Sequence, residues 1–248
     1  MITIRTAQEI ALLREAGRVV AKTHEYLKPF IKPGITTKQL DKLAEDFIKS
    51  CGATPSFKGL YGFPGSICTS INDMVIHGIP DNTALKEGDI ISLDIGACLN
   101  GYHGDSAWTY QVGKVSEEAK YLMEVTHDAL FAGLKMAKAG NRVGDISAAI
   151  EEYVSSHHCS SPYDYTGHGV GTKVHEDPNV PNYGRKGHGP KLKVGMVIAV
   201  EPMVHLGKAE VYVLNDEWGV KTLDHTLAAH YEHTIAITED GYQIMTTL

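Results

Sequence analysis

Two segments of this chain lie on each other without a gap: Leu85-Lys86-Glu87-Gly88-Asp89-Ile90-Ile91-Ser92-Leu93-Asp94 and Leu192-Lys193-Val194-Gly195-Met196-Val197-Ile198-Ala199-Val200-Glu201. Each reads as a turn phrase, an apolar strand and then a carboxylate. Lys32-Pro33-Gly34 corresponds to Lys138-Ala139-Gly140, and His77-Gly78-Ile79-Pro80 resembles His175-Glu176-Asp177-Pro178. The first two matches are displaced by about 107 residues and the histidine pair by about 98, in the same order along the chain. One short match is common among unrelated turns, but three in one order make an internal repeat. The repeat limits the architecture to two similar units, each closing its matched segment on an acid.

The helical periods agree. Thr6 and Glu9 have capping-box spacing ahead of Ile10, Leu13, Ala16, Val20 and Leu27, which predicts a helix from Thr6 to about Phe30, stopped by Pro33-Gly34. Thr36 and Gln39 open a second helix to Lys49 with Leu40, Leu43, Ala44 and Phe47 inward. Residues 53–65 are a Gly-, Pro- and aromatic-rich loop, and Ser66–Asn72 is strand-like. A third helix covers about Ser116–Lys138 and a fourth about Val143–Ser156. After the Gly-rich loop at 166–171, strands are expected at Val197–Val204, Glu210–Val213, Trp218–Thr222, His230–Thr238 and Tyr242–Thr246. The reading is therefore α/β (α+β): two αα-plus-β-hairpin halves, about 1–112 and 113–248, related by a pseudo-twofold in one domain spanning 1–248.

In the first half, Asn100-Gly101 joins two strand-like runs and suits the positive φ angles of a tight hairpin turn. A register centred on 99–100 or on 100–101 leaves Asp94 and Asp105 on the same face. Like charges so placed repel and desolvate each other unless a cation lies between them. The repeat adds Glu201, behind a strand apolar on both faces, and the later strand adds Glu232. An unpaired acid in such a strand costs several kcal/mol. Among thirteen histidines, His168 stands out because Gly167 and Gly169 let the backbone crowd close around one imidazole. His230 shares a strand face with Glu232, as an outer partner or a solvated residue, while His157, His158 and His188 have no such context. One imidazole and four carboxylates suit hard-to-borderline divalent ions rather than a thiolate zinc site. They carry more charge than one ion needs. Two ions roughly 3.5–4 Å apart with a hydroxide between them would be hydrolytic.

With 43% apolar and 21% charged residues and a net charge of −7, the chain lacks the basic surface that nucleic acids or anionic membranes require. No apolar run approaches the roughly 20 residues of a membrane span, and the start reads directly as an amphipathic helix rather than a signal segment. Cys51, Cys68, Cys98 and Cys159 show no paired spacing and read as free thiols of a cytoplasmic protein.

His77-Gly78-Ile79-Pro80, Gly101-Tyr102-His103-Gly104-Asp105, Thr166-Gly167-His168-Gly169-Val170-Gly171, Val174-His175-Glu176-Asp177-Pro178, Glu201-Pro202-Met203 and Tyr231-Glu232-His233-Thr234 together resemble the bacterial type I methionine aminopeptidases, over essentially the whole chain. The resemblance implies the pita-bread fold, with a central antiparallel sheet, and two divalent ions held by Asp94, Asp105, His168, Glu201 and Glu232, the second and last bridging. Iron, manganese or cobalt are the expected ions, with zinc as a further option. The reaction implied is removal of the N-terminal methionine from nascent polypeptides, preferably before a small second residue. Glu201 would shuttle the proton, His175 would donate to the oxyanion, and His77 would contact the scissile amide or the residue after it. Phe57, Leu60, Tyr61, Phe63, Cys68 and Trp218 are the candidate methionine pocket. The chain departs from many relatives at Leu60, Phe63 and Val174, which alters pocket and entrance. The resemblance further implies a cytoplasmic monomer meeting its substrate at the ribosome. Two readings compete: an X-Pro aminopeptidase or dipeptidase of the same fold, and a non-catalytic binding module built on it.

Overall fold

The computed structural model describes residues 1–248. Its helices are α1 (Ala7–Leu27), α2 (Thr37–Ser50), α3 (Glu117–Leu134) and α4 (Val143–Ser156). Both expected capping boxes form, Thr6 with Glu9 and Thr36 with Gln39, each closing two backbone donors that the first turn leaves open. Helix α1 ends earlier than expected: Pro29 has no N–H to continue the ladder, and Lys28–Phe30 tighten into a 3₁₀ turn. Helix α3 stops at Leu134 rather than near Lys138, because Gly133 and Leu134 already accept from Met136 and Ala137 in tighter turns. In α2 the buried positions are Thr37, Leu40, Ala44 and Ile48. Leu43 and Phe47, expected inward, are half-buried, and Phe47 stacks on Tyr26 of α1 at 4.4 Å.

The first strands are β1 (Thr54–Pro55), β2 (Cys68–Ile71), β3 (Met74–Ile76), β4 (Ile90–Leu99), β5 (Tyr102–Gln111), β6 (Thr166–Gly169) and β7 (Glu176–Pro181). The others are β8 (Val197–Val200), β9 (Met203–His205), β10 (Val211–Val213), β11 (Val220–Thr222), β12 (Ala228–His230), β13 (His233–Ile237) and β14 (Tyr242–Ile244). Every pairing is antiparallel. One sheet holds β1, β4 and β2 with β5 beside β4; another runs β14-β13-β8-β6-β7; β9 pairs β12, and β3, β11 and β10 form a small third sheet. The Gly-rich stretch read as a loop is a strand, β6, inserted between β7 and β8. It escapes a propensity reading because glycine weakens a strand unless neighbouring backbone must come very close. No helix is long and apolar enough to cross a membrane.

The repeat recurs in the hydrogen bonds. Gly34 N–H donates to Leu85 O at 2.8 Å and Gly140 N–H to Leu192 O at 3.0 Å, while Leu85 N–H returns to Ile35 O at 2.8 Å and Leu192 N–H to Asn141 O at 2.7 Å. Each turn before an even-numbered helix is thus locked to the turn before its acid-bearing strand. Each helix pair also covers its own apolar layer: α1 and α2 over Ile91, Leu93 and Ile95 of β4, α3 and α4 over Ile198, Val200 and Ile235. Burying each such side chain contributes about 1.5–3 kcal/mol.

The hairpin turn has φ of 53° at Asn100 and 80° at Gly101, the signature expected of that dipeptide. Leu99 pairs with Tyr102, so Asp94 opposes Ala107 and Asp105 opposes Gly96. The two acids are diagonal neighbours on one face. Two strands expected to be continuous are interrupted: Val197–Val204 breaks at Glu201-Pro202, and His230–Thr238 breaks at Tyr231-Glu232. Pro202 removes a ladder donor, and the interruptions lie level because Val200 pairs with His233 and Met203 with His230.

At that level the second half joins the hairpin without a continuous ladder. Glu232 N–H donates to Ala107 O at 2.8 Å, Ser106 Oγ to Glu232 O at 2.6 Å and Thr234 Oγ1 to Asp105 O at 2.7 Å. Helix α1 crosses β5 above the seam, and a Cβ at Gly104 would lie 2.6 Å from Gly17 N. Gly104→Ala therefore forces helix and strand apart. We expect a loss of about 1–3 kcal/mol, read as a lower urea midpoint at unchanged slope in chelator; an unchanged midpoint would contradict this packing.

Candidate metal centre

Glu201 is in place because Pro202 ends the β8 ladder and because Asn182 Nδ2 donates to Glu201 O at 3.0 Å. Glu232 is in place because its own backbone crosses to β5. Asp94 and Asp105 come from the hairpin face, and His168 from β6. A Cβ on Gly167 would lie 2.4 Å from Ala199 O, and one on Gly169 would lie 2.2 Å from Asp177 O. Only glycines allow β6 to press into that gap and direct His168 inward. Five residues from both halves thus line one cavity.

The ligand atoms of Asp105, His168 and Glu232 lie within 4.8 Å of one another, and so do those of Glu201, His230 and Glu232. His168 Nε2 is 3.4 Å from Glu201 Oε1 and 3.7 Å from Asp105 Oδ2. Its Nδ1 donates to Gly169 O at 2.9 Å, so Nε2 presents a lone pair to the acids. Two acceptors facing each other are unfavourable without a cation. Asp94 Oδ1, Asp105 Oδ1 and Glu232 Oε1 are buried and have no hydrogen-bond partner in the protein. Asp105 and Glu232 are each only 2% exposed, where polar atoms ordinarily have partners. This donor set fits divalent metal ions.

The charges respond as buried like charges must. Burial pushes Asp94 and Glu201 up to about 7. Burial, reinforced by the neighbouring acids, raises Asp105 and Glu232 well above the ordinary carboxylate range. Burial also lowers His168, against the pull of Glu201. The Cys68 thiol, buried beside Asp94, is raised well above its usual range; it stays protonated and is a poor nucleophile.

A cavity of about 390 Å³ opens onto the acids. Phe57, Leu60, Tyr61, Phe63, Cys68 and Trp218, the residues expected to form a pocket, all line it. They are not equivalent. Phe57, Phe63 and Cys68 are buried and pack with Val174, with Leu60 and Trp218 against them. Phe63 meets Trp218 edge-on at 5.1 Å. Tyr61 is instead 75% exposed, sits at a left-handed φ of 51° and lies parallel to His175 at 5.9 Å. It belongs to the mouth rather than to the apolar floor.

His77 and His175 line the same cavity. His77 has a φ of 59°, held because Gly78 N–H donates to Ser70 Oγ at 3.2 Å while Gly78 O accepts from Thr69 N–H at 2.8 Å. Burial, and His230 nearby, bring its pKa down to about 4. His175 meets His168 edge-on at 4.4 Å, and its pKa is lowered by desolvation and by the His77 and His103 imidazoles. Both rings are neutral donors or acceptors at neutral pH.

Sequence reasoning missed Tyr165 and Asn179, which line the cavity beside the two histidine motifs. Tyr165 lies edge-on to His77 at 6.1 Å. Their adjacency to those motifs was the available signal. His230, left between outer partner and solvated residue, is 2% exposed and faces Glu201.

Residues 11–239 match the model of metallopeptidase family M24. Methionine aminopeptidase 1 of Bacillus subtilis is 57% identical over 99% of this chain and 99% of its own length. The crystal structure of methionine aminopeptidase from Rickettsia prowazekii superposes with a TM-score of 0.98 at 42% identity, covering 99% of this chain and 100% of that one. An Xaa-Pro dipeptidase from Bacillus anthracis superposes with a TM-score of 0.79 at 25% identity, covering 99% of this chain but 62% of the other.

Acids raised to about 7 hold protons in the folded apoprotein that the unfolded chain has already released above its ordinary range near 4. Their contribution to apoprotein stability is therefore lost as pH rises between those values, and a bound ion must displace the protons. Buried His24, His77 and His233, held down to about 4, act in the opposite sense up to their unfolded range. The informative quantity is thus the ion-dependent increment. Adding Mn²⁺ to chelator-treated protein is expected to raise Tm more at pH 7.5 than at pH 5.5, and to release protons at pH 6. A pH-independent increment without proton release would contradict this.

Proposed function

The chain belongs to metallopeptidase family M24, and on that premise we propose that it hydrolyses the first peptide bond of polypeptides that begin with methionine, releasing the methionine. The observation that carries this is the convergence of the four acids and His168 on one cavity that apolar side chains, His77 and His175 also line. Asp94, Asp105, His168, Glu201 and Glu232 would hold two divalent ions, iron, manganese or cobalt before zinc. Bound there, such ions supply Lewis acidity toward a carbonyl and lower the pKa of water.

The protein's own groups do the rest. The apolar side chain of the first residue packs against Phe57, Phe63 and Cys68, with Leu60 and Trp218 beside them. A flexible, polarisable methionine fits such an irregular wall. The buried acids attract the free α-amine, which confines cleavage to the first bond. Glu201, with a pKa near 7, takes a proton from the attacking water and returns it to the leaving amine. His175 donates to the oxygen that gains charge, and His77 hydrogen-bonds the scissile amide or the next residue.

We read residues 1–248 as one catalytic unit with halves about 1–112 and 113–248, acting as a cytoplasmic monomer on nascent chains at the ribosome. Against the X-Pro reading, the chain is 57% identical to methionine aminopeptidase 1 of Bacillus subtilis but 25% identical to the Xaa-Pro dipeptidase. Against the binding-module reading, all five expected ligands and both histidines converge on one cavity.

Apoprotein titrated separately with Fe²⁺, Mn²⁺, Co²⁺ and Zn²⁺ is expected to release methionine from Met-Gly-Met-Met, saturating above one equivalent of an active ion. Glu201→Gln should lower kcat by about 10²–10⁴-fold. Cleavage confined to Met-Pro peptides would favour the X-Pro reading, and stoichiometric ion binding without turnover would favour the binding module.

A further inference from the structure

Glu201 lies between two imidazoles. Its Oε1 is 3.4 Å from His168 Nε2, and its Oε2 is 3.5 Å from His230 Nε2. The two contacts differ in kind. The His168 proton is committed at Nδ1 to Gly169 O, so that ring turns a lone pair toward the carboxylate and its side needs a cation. Nothing so commits His230. Its Nε2 is buried and has no hydrogen-bond partner, and a carboxylate oxygen opposite it selects the tautomer with the proton on that nitrogen.

The His230 backbone is clamped rather than loosely packed. Thr109 Oγ1 accepts from His230 N–H at 2.9 Å and donates to His230 O at 3.0 Å. Ser92 Oγ lies 2.9 Å from the same hydroxyl, and Tyr231 OH donates to Thr109 O at 3.0 Å. The strand carrying the ring is thereby fixed to the hairpin that carries Asp94 and Asp105.

We propose that His230 is a positioning residue: its Nε2–H holds Glu201 Oε2, leaving Oε1 on the ligand side and fixing the plane of the carboxylate. The inference rests on the reading of Glu201 as ligand and proton carrier. It assigns the donor role to a ring whose distance to Glu201 and Glu232 is equally compatible with direct ion binding. At 3.5 Å the two atoms face each other just beyond a formed hydrogen bond, within reach of one after a small shift.

The test compares wild type, His230→Leu and His230→Gln by Mn²⁺ calorimetry, by kcat and KM on Met-Gly-Met-Met, and by Tm in chelator. Leucine removes the donor, while the glutamine amide restores an N–H at similar reach. His230→Leu is expected to weaken Mn²⁺ binding by about 10–100-fold and to lower kcat with KM nearly unchanged. Its Tm in chelator should be equal to or above that of wild type, because an unpartnered buried polar atom is gone. His230→Gln is expected to recover most of the Mn²⁺ affinity and kcat. Wild-type behaviour of His230→Leu would overturn the proposal, as would a lower Tm with unchanged Mn²⁺ affinity. A His230→Gln variant as impaired as His230→Leu, with its Tm intact, would also overturn it, in favour of direct ligation by the imidazole. If wild type binds Mn²⁺ but releases no methionine, the functional reading fails while the calorimetry still tests His230.

Discussion

The structure depends on the seam where β5 meets the β12–β13 segment. An ordinary antiparallel ladder there would close the two halves into one continuous sheet and turn Glu201 and Glu232 away from each other. Instead, Pro202 and the crossing of Glu232 to Ala107 interrupt both partner strands at one level, and the hydroxyls of Ser106, Thr109 and Thr234 join them. Hydroxyls both donate and accept, so they satisfy strand backbone where the registers do not match. Both acids emerge at this interruption, opposite the two from the hairpin.

That geometry has an electrostatic consequence. Four carboxylates without lysine or arginine among them cannot all ionise in a buried site, and Asp94, Asp105, Glu201 and Glu232 are all raised in response. The same crowding that destabilises the charged apoprotein makes the site avid for divalent cations, since an ion replaces protons that were weakly justified to begin with. The seam therefore couples the assembly of the halves to the chemistry of the centre.

Around the acids, the cavity sorts its walls by polarity. Buried Phe57, Phe63 and Cys68 make one wall, and the neutral rings of His77 and His175 the other. In the 57–63 loop, Tyr61, a bulky residue in a left-handed conformation, lies at the mouth against His175. His77 is similarly strained, held by the close approach of Gly78 to β2. Strain at both positions lies on the cavity, where packing over-determines the backbone.

Much was legible in the chain itself. The capping boxes, the Asn100-Gly101 turn and the Leu85–Asp94 and Leu192–Glu201 repeat are local patterns, and each sets conformation through neighbours within a few residues. They sufficed for four helices, for the hairpin register to within one step, and for the pairing of Asp94 with Glu201 as candidate ligands. Tertiary structure decided what local pattern cannot carry. The choice between the two registers, the splitting of two strands at Glu201 and Glu232, and the conversion of a Gly-rich loop into β6 all depend on backbone contacts across long separations. Likewise His230 reads as either buried or solvated from its strand face alone. Only the clamp by Thr109, more than a hundred residues earlier, puts its ring against Glu201. Periodicity reports which face a side chain takes, but what lies against that face is set by packing.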